Sequence, residues 1–133
     1  MGSTHTIAGP ALHAAMRQVV AGFGSSPEEV AAVATNLIEA NLTGHDSHGI
    51  GMLPRYVAAY LEGGLKPNAS ISTVMDGGAM LRLDGNAGFG QVIGVQAMQL
   101  GIARAQQLGC CIMALGNSHH LGRIGAWAEM AVA

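Results

Sequence analysis

A long helical pattern that ends in a glycine and runs straight into an unbroken apolar stretch constrains this chain more than any other feature. Over residues 91–107, Val92, Val95, Met98 and Ile102 recur at helical spacing, and Gly109 supplies the stop. Residues 110–115 are then apolar without interruption, the pattern of a strand buried on both faces of a sheet. Upstream, residues 71–75 and 80–83 read as two short strands around Asp76-Gly77-Gly78, a hairpin-like turn. A hairpin, a long helix and a buried strand in that order predict an α/β fold. They also place Asn117 and Ser118 at the carboxyl end of the last strand, where open α/β sheets commonly bind ligands.

The first half of the chain reads as helical. Gly9-Pro10 opens a pattern of Leu12, Met16, Val19 and Val20 that ends near Gly22. Ser26 is the expected N-cap of a second helix, with Pro27 at its first position and Glu29 completing a capping box. That helix carries Val30, Val33, Leu37 and Ile38 on one face and stops near Thr43-Gly44. A third stripe, Leu53, Tyr56, Val57, Tyr60 and Leu61, tolerates Pro54 in its first turn. Residues 1–66 are thus expected to form a helical segment and residues 67–133 an α/β segment. A last helix is expected from about Gly122, and Ile124, Trp127, Met130 and Ala131 are still periodic at Ala133. Domains rarely end inside such a pattern, so the chain is expected to be the N-terminal portion of something longer.

Composition narrows the function classes. Half the residues are apolar and only 11% are charged, against about 25% in an ordinary soluble domain. Some of the surface is therefore expected to be covered by a partner, another subunit or further chain. The net charge is −2, and Arg17, Arg55, Lys66, Arg82, Arg104 and Arg123 form no basic stripe, which argues against a nucleic-acid partner. No run approaches the roughly 18 apolar residues of a membrane helix, and the N-terminus lacks a signal-peptide pattern. Cys110 and Cys111 are adjacent, without the spacer of a redox or zinc pair, and are expected as small apolar residues of the buried strand. A cytoplasmic protein is the expectation.

Four of the six histidines fall into two clusters, His45-Asp46-Ser47-His48-Gly49 and Asn117-Ser118-His119-His120-Leu121-Gly122. Imidazole exchanges protons near neutral pH. Three readings compete here. Gly88-Phe89-Gly90-Gln91-Val92-Ile93-Gly94 suggests a dinucleotide loop, but the glycine spacing is wrong and no acidic residue lies about 20 positions on. A close-packed turn, or a loop facing a substrate, suits it better. A metal site from His45, Asp46, His48, His119 and His120 lacks the helical spacing of a zinc pair. Acid–base catalysis, with an imidazole projecting into a cleft and Ser47 holding it, is the third. Arg55 and Tyr56, one to two helical turns beyond His48, could bind a carboxylate and assist a proton.

Asp46-Ser47-His48-Gly49-Ile50 with Leu53-Pro54-Arg55-Tyr56, then Asp84-Gly85-Asn86-Ala87-Gly88-Phe89-Gly90-Gln91, then Asn117-Ser118-His119-His120-Leu121-Gly122, resembles the malate/L-lactate dehydrogenase family that lacks a Rossmann fold. The resemblance runs from about Ala11 to the end. It implies an incomplete part of a larger non-Rossmann dehydrogenase fold, and hydride transfer between NAD or NADP and a small 2-oxo or 2-hydroxy acid. It further implies that His48 is the acid–base residue, flanked by Ser47 and Tyr56, and that His120 lies beside substrate and nicotinamide with Ser118 nearby. An arginine would hold the carboxylate. Some members carry one four residues after the catalytic histidine, where this chain has Met52, so Arg55 is the candidate. Family members are well over twice as long and dimeric, with much of the cofactor-binding domain beyond residue 133. The resemblance therefore implies a homodimer, and a 133-residue chain inactive alone. The alternative is a non-catalytic module that oligomerises or binds a partner.

Overall fold

The computed structural model describes residues 6–133. The first five, where the sequence shows no signal-peptide pattern, lie outside the described residues. Helices α1 (Gly9–Ala21) and α2 (Pro27–Leu42) come first, then two short 3-10 turns, Asp46–His48 and Ile50–Met52, and α3 (Leu53–Leu61). Strands β1 (Ser72–Gly77) and β2 (Met80–Asp84) follow, then α4 (Gly90–Leu108), β3 (Ile112–Gly116) and α5 (Gly125–Val132). The fold is mixed α/β, with helices gathered in the first half and a small sheet in the second. No helix among the described residues is long and apolar enough to cross a membrane.

The start of α2 shows how the sequence organises the helical half. Ser26 accepts the Glu29 backbone N–H at 3.2 Å, as an N-cap should. The expected reciprocal bond of a capping box is absent. The Ser26 N–H instead donates to Asn68 Oδ1 at 2.7 Å, and the Glu29 carboxylate accepts the Asn68 N–H at 2.9 and 3.0 Å and the Ser25 hydroxyl at 2.8 Å. Glu29 is buried, and its charge is spent on a loop far along the chain rather than on its own helix. A local motif has become a tertiary clamp between α2 and the segment leading to the sheet.

One apolar core joins the two halves. Val20, Phe23, Val30, Val33, Leu37, Met52, Tyr56, Leu65 and Phe89 form a single buried cluster. Phe89 meets Phe23 and Tyr56 edge to face, with ring centroids 5.7 and 5.8 Å apart. Burial of each such side chain is worth about 1.5–3 kcal/mol, so the helices cannot shift without the loop before α4. In α3 the expected stripe is only partly realised. Tyr56 is fully buried, but Val57, Tyr60 and Leu61 are exposed, because one helix face meets the core and nothing described covers the next.

The sheet has the order β1-β2-β3. β1 and β2 form the expected antiparallel hairpin, whose turn uses Gly78 at φ +73°. Arg104 of α4 grips Asp76 in that turn through two bonds of 2.6 and 2.8 Å. This bidentate pair holds the Asp76 carboxyl down at about 2. β2 and β3 run parallel, with α4 as the crossover between them. Leu81 and Leu83 are buried, while Met80 and Ile112 on the opposite face are exposed, Ile112 at 70%.

Four expectations are corrected here. β3 is an edge strand, not one buried on both faces: only Met113 and Leu115 are half-buried, since α4 covers one face alone. Cys110 is exposed and Cys111 half-buried, both ahead of the strand and unpaired. On α4 the buried face is Gln91, Ile93, Gly94, Ala97 and Gly101, whereas Val92, Val95, Met98 and Ile102 are half-buried. Small residues win because neighbours press in closely. A Cβ on Gly94 would fall 2.6 Å from the Trp127 ring. The last helix begins at Gly125 rather than near Gly122, which takes a left-handed φ of +70°.

Replacing Glu29 by Ala leaves the part-buried Asn68 N–H without its acceptor. Loss of about 1–3 kcal/mol of stability is expected, read as a lower denaturant midpoint. An unchanged midpoint would show that the clamp carries no stability.

Candidate active site

The first histidine loop is shaped by a residue the sequence reading passed over. Asn41, in the last turn of α2, donates through Nδ2 to Asp46 Oδ1 at 2.5 Å and accepts the Ile50 N–H on Oδ1 at 2.9 Å. One amide thus ties both ends of the turn that carries His48. Gly49 lies against that amide: a Cβ there would sit 2.1 Å from Asn41 Oδ1. Within the turn, Ser47 Oγ lies 2.9 Å from His48 Nδ1. His45 is exposed and engages Thr43 Oγ1 at 3.2 Å.

The second loop continues the β2–β3 pairing beyond the strands. Gly85 N–H donates to Gly116 O at 2.9 Å, Ala87 N–H to Asn117 O at 2.8 Å, and His119 N–H to Gly88 O at 3.0 Å. Asp84 Oδ1 accepts from the Asn86 N–H at 2.7 Å and from Asn117 Nδ2 at 2.8 Å. Those two bonds, backbone first, lower the Asp84 pKa. Asn86, Ala87 and Asn117 all take positive φ, a conformation that a non-glycine residue keeps only when its surroundings enforce it. At the start of α4, a Cβ on Gly90 would fall 2.1 Å from the His120 carbonyl oxygen. The glycine-rich stretch is therefore a close-packed turn. Gly90 and Gly94 are filled from within the protein, by the His119–His120 backbone and by Trp127.

The two clusters meet. The His48 and His120 rings lie 5.4 Å apart, centroid to centroid, tilted by 30°. Behind them, the Tyr56 hydroxyl is 2.8 Å from His120 Nδ1 and receives a bond from Gln91 Nε2 at 2.7 Å. Burial pushes the Tyr56 pKa up to about 12, against the opposing hydrogen bond from Gln91. The hydroxyl therefore keeps its proton at any pH near neutral. Burial, and then the nearby charges of His48, His119 and Arg55, lower the His120 pKa. Burial alone lowers that of His119.

The expected site residues divide accordingly. His48, His120, Ser47 and Tyr56 are brought together. Arg55 is exposed one residue before Tyr56 on α3, with no ion pair among the described residues, and its charge reaches His120. Ser118 is half-buried and donates to the His119 carbonyl at 3.0 Å. His119 packs edge-on against Tyr56 at 5.3 Å. Among the described residues, no three His, Cys, Asp or Glu side chains gather to hold a metal ion. Gln91 and Asn41 were missed. A lone glutamine on the small-residue face of α4 was the available clue to the first, since a buried amide needs a partner.

An α4 crossover between parallel strands, with the His120 ring of the loop after β3 brought 5.4 Å from that of His48, defines an α/β protein with two neighbouring imidazoles. The chain belongs to the malate/L-lactate dehydrogenase family, whose model it matches over residues 7–133. It is 48% identical to hydroxycarboxylate dehydrogenase B of Escherichia coli K12 over all 133 residues, which are 37% of that relative. A solved structure described as a putative malate/lactate dehydrogenase from E. coli superposes with a TM-score of 0.90 at 48% identity, over 95% of this chain and 35% of that one. The sulfolactate dehydrogenase of Methanocaldococcus jannaschii gives a TM-score of 0.85 at 33% identity, over 92% and 36%. The chain thus spans little more than a third of the length of these relatives.

Two measurements follow from this geometry. Gly49→Ala drives a methyl group into the tied Asn41 amide, at a cost of about 1–3 kcal/mol, and should broaden or shift the His48 ring signals in NMR. Unmoved signals would refute the clamp. The pH dependence has a definite sign. The fold holds His119 and His120 neutral, while the unfolded chain protonates them near about 6.5. Unfolding therefore takes up protons, and stability falls as pH drops from about 6.5 through the lowered folded values. Melting temperatures should decline between about pH 7 and pH 5; a flat profile would contradict the burial of these rings.

Proposed function

We propose that this chain carries the proton-transfer half of an oxidoreductase that interconverts small 2-oxo and 2-hydroxy acids. The observation that carries the reading is the 5.4 Å approach of His48 to His120, which lets the edges of both rings reach one small acid lying beside them. Family membership supports the dehydrogenase class. His48 is proposed to give or take the proton at the reacting oxygen. Ser47 engages its Nδ1, which leaves Nε2 free for substrate. Arg55, the exposed cation whose charge reaches His120, is proposed to hold the carboxylate. Tyr56 is satisfied by Gln91 and His120 and orients the latter.

The reading includes NAD or NADP, which when bound exchanges hydride with the reacting carbon. The described residues fit one end of it. His120 and Ser118, both half-exposed, would hold the nicotinamide end. They offer no phosphate cradle, because Gly90 and Gly94 are already filled. We therefore propose that these 133 residues do not reduce 2-oxo acids alone. A homodimer is proposed on the strength of the apolar surface left open at Leu61 and Ile112, and a cytoplasmic location on the two unpaired thiols.

The test is a chimera in which this chain replaces the matching third of E. coli hydroxycarboxylate dehydrogenase B. It should oxidise NADH or NADPH with a 2-oxo acid such as pyruvate. His48→Ala in the same chimera should lose about 100- to 10,000-fold in rate. A folded chimera whose rate is indifferent to His48 would sink the assignment.

A further inference from the structure

The buried amide of Gln91 sits at the far end of a hydrogen-bonded chain whose near end is His120. Gln91 is 1% exposed and lies in the first turn of α4. Its Nε2 donates to the Tyr56 hydroxyl at 2.7 Å, and that hydroxyl lies 2.8 Å from His120 Nδ1. An amide nitrogen carries only protons, so the hydroxyl oxygen must accept from it. The hydroxyl has one proton of its own, and His120 Nδ1 is the partner left for it. Nδ1 must then be the bare nitrogen, and the ring proton must sit on Nε2.

The orientation of the amide has a physical reason. Gln91 Oε1 has no partner among the described residues. Turning the amide round would bury an unpartnered NH2 there instead, and orphaned N–H groups are rarer in folded proteins than under-satisfied carbonyls. The groups around the ring agree with a neutral imidazole. His48, His119 and Arg55 are the charged or titratable neighbours whose charge reaches it, and none is an anion.

We propose that Gln91 is a positioning residue that, through Tyr56, locks His120 as the neutral Nε2–H tautomer, so that His120 serves as a hydrogen-bond donor to the substrate oxygen rather than as a base. The two imidazoles of the site then differ in role. His120 polarises or holds the acid, and His48 alone moves the proton. The donor role rests on the hydroxy-acid reading above; the tautomer does not.

Ring-nitrogen NMR shifts of the protein labelled at histidine, with no substrate or cofactor added, read the tautomer directly. His120 should show bare Nδ1 and protonated Nε2 at neutral pH. In Gln91→Glu, at a pH where the new carboxylate is ionised, that group can only accept, so the Tyr56 hydroxyl donates its hydrogen bond to it. The hydroxyl then turns to accept from His120, whose Nδ1 should become protonated. Tyr56→Phe should release the ring to a mixture of both tautomers. His120 found with protonated Nδ1 in the parent protein, as the opposite amide orientation would impose, overturns the proposal. So does a folded Gln91→Glu protein that keeps bare Nδ1. If that variant does not fold, a single unchanged tautomer in Tyr56→Phe overturns it equally. Because no turnover is measured, failure here leaves the hydroxy-acid reading standing, and failure of the chimera assay leaves the tautomer standing.

Discussion

A tyrosine hydroxyl in a dry core has to be satisfied, and the arrangement of this protein turns on how Tyr56 manages it. Its ring has no exposed surface and belongs to the main apolar cluster. An unpartnered hydroxyl there would cost about 1–3 kcal/mol. Gln91 arrives from α4 and His120 from the loop after β3, so three separate stretches of chain converge on one oxygen. Apolar packing brings the helices and the sheet together without specifying their register. The polar contact specifies it, because a shift of about an ångström would break a buried bond.

Around that point, glycines set how near the backbones come. Gly90 lets the His119–His120 segment lie directly on the first turn of α4, and Gly49 lets Asn41 reach across the base of the first loop. Each glycine serves a histidine, though neither touches it through a side chain. The same closeness explains why the stretch from Gly88 to Gly94 is no phosphate loop. Its open spaces are already occupied by this chain's own backbone and by Trp127. Packing and phosphate binding compete for the same small residue, and here packing holds the position.

The electrostatics of the site separate its two imidazoles. Burial, and then the neighbouring imidazoles and Arg55, disfavour a charge on His120, and its Nδ1 is committed to Tyr56. His48 is half-exposed and touched by Ser47 alone among the side-chain hydrogen bonds described. Two histidines a few ångströms apart with different surroundings can divide acid–base work from orientation. Such a division needs no extra residue types, only unequal burial.

Much of this was written in the sequence. Ser26-Pro27 announced α2, Asp76-Gly77-Gly78 the hairpin, and Gly109 the end of α4, because caps and turns depend on residues close along the chain. His48, His120, Ser47 and Tyr56 stood out as a set only through the resemblance to the dehydrogenase family, since the residues by themselves left three readings of the two clusters open. Burial was read less well. β3 looked like an interior strand, yet α4 covers only one of its faces. The apolar stripe of α4 gave way to a small-residue face, because Trp127 comes so close to Gly94. Gln91 and Asn41 were invisible as functional residues, since an amide's role is set by which distant groups need its donors and acceptors. The sequence by itself determined the elements and the side chains that can move a proton. Only tertiary structure decided which groups meet, because that choice depends on satisfying buried polar atoms across long stretches of chain.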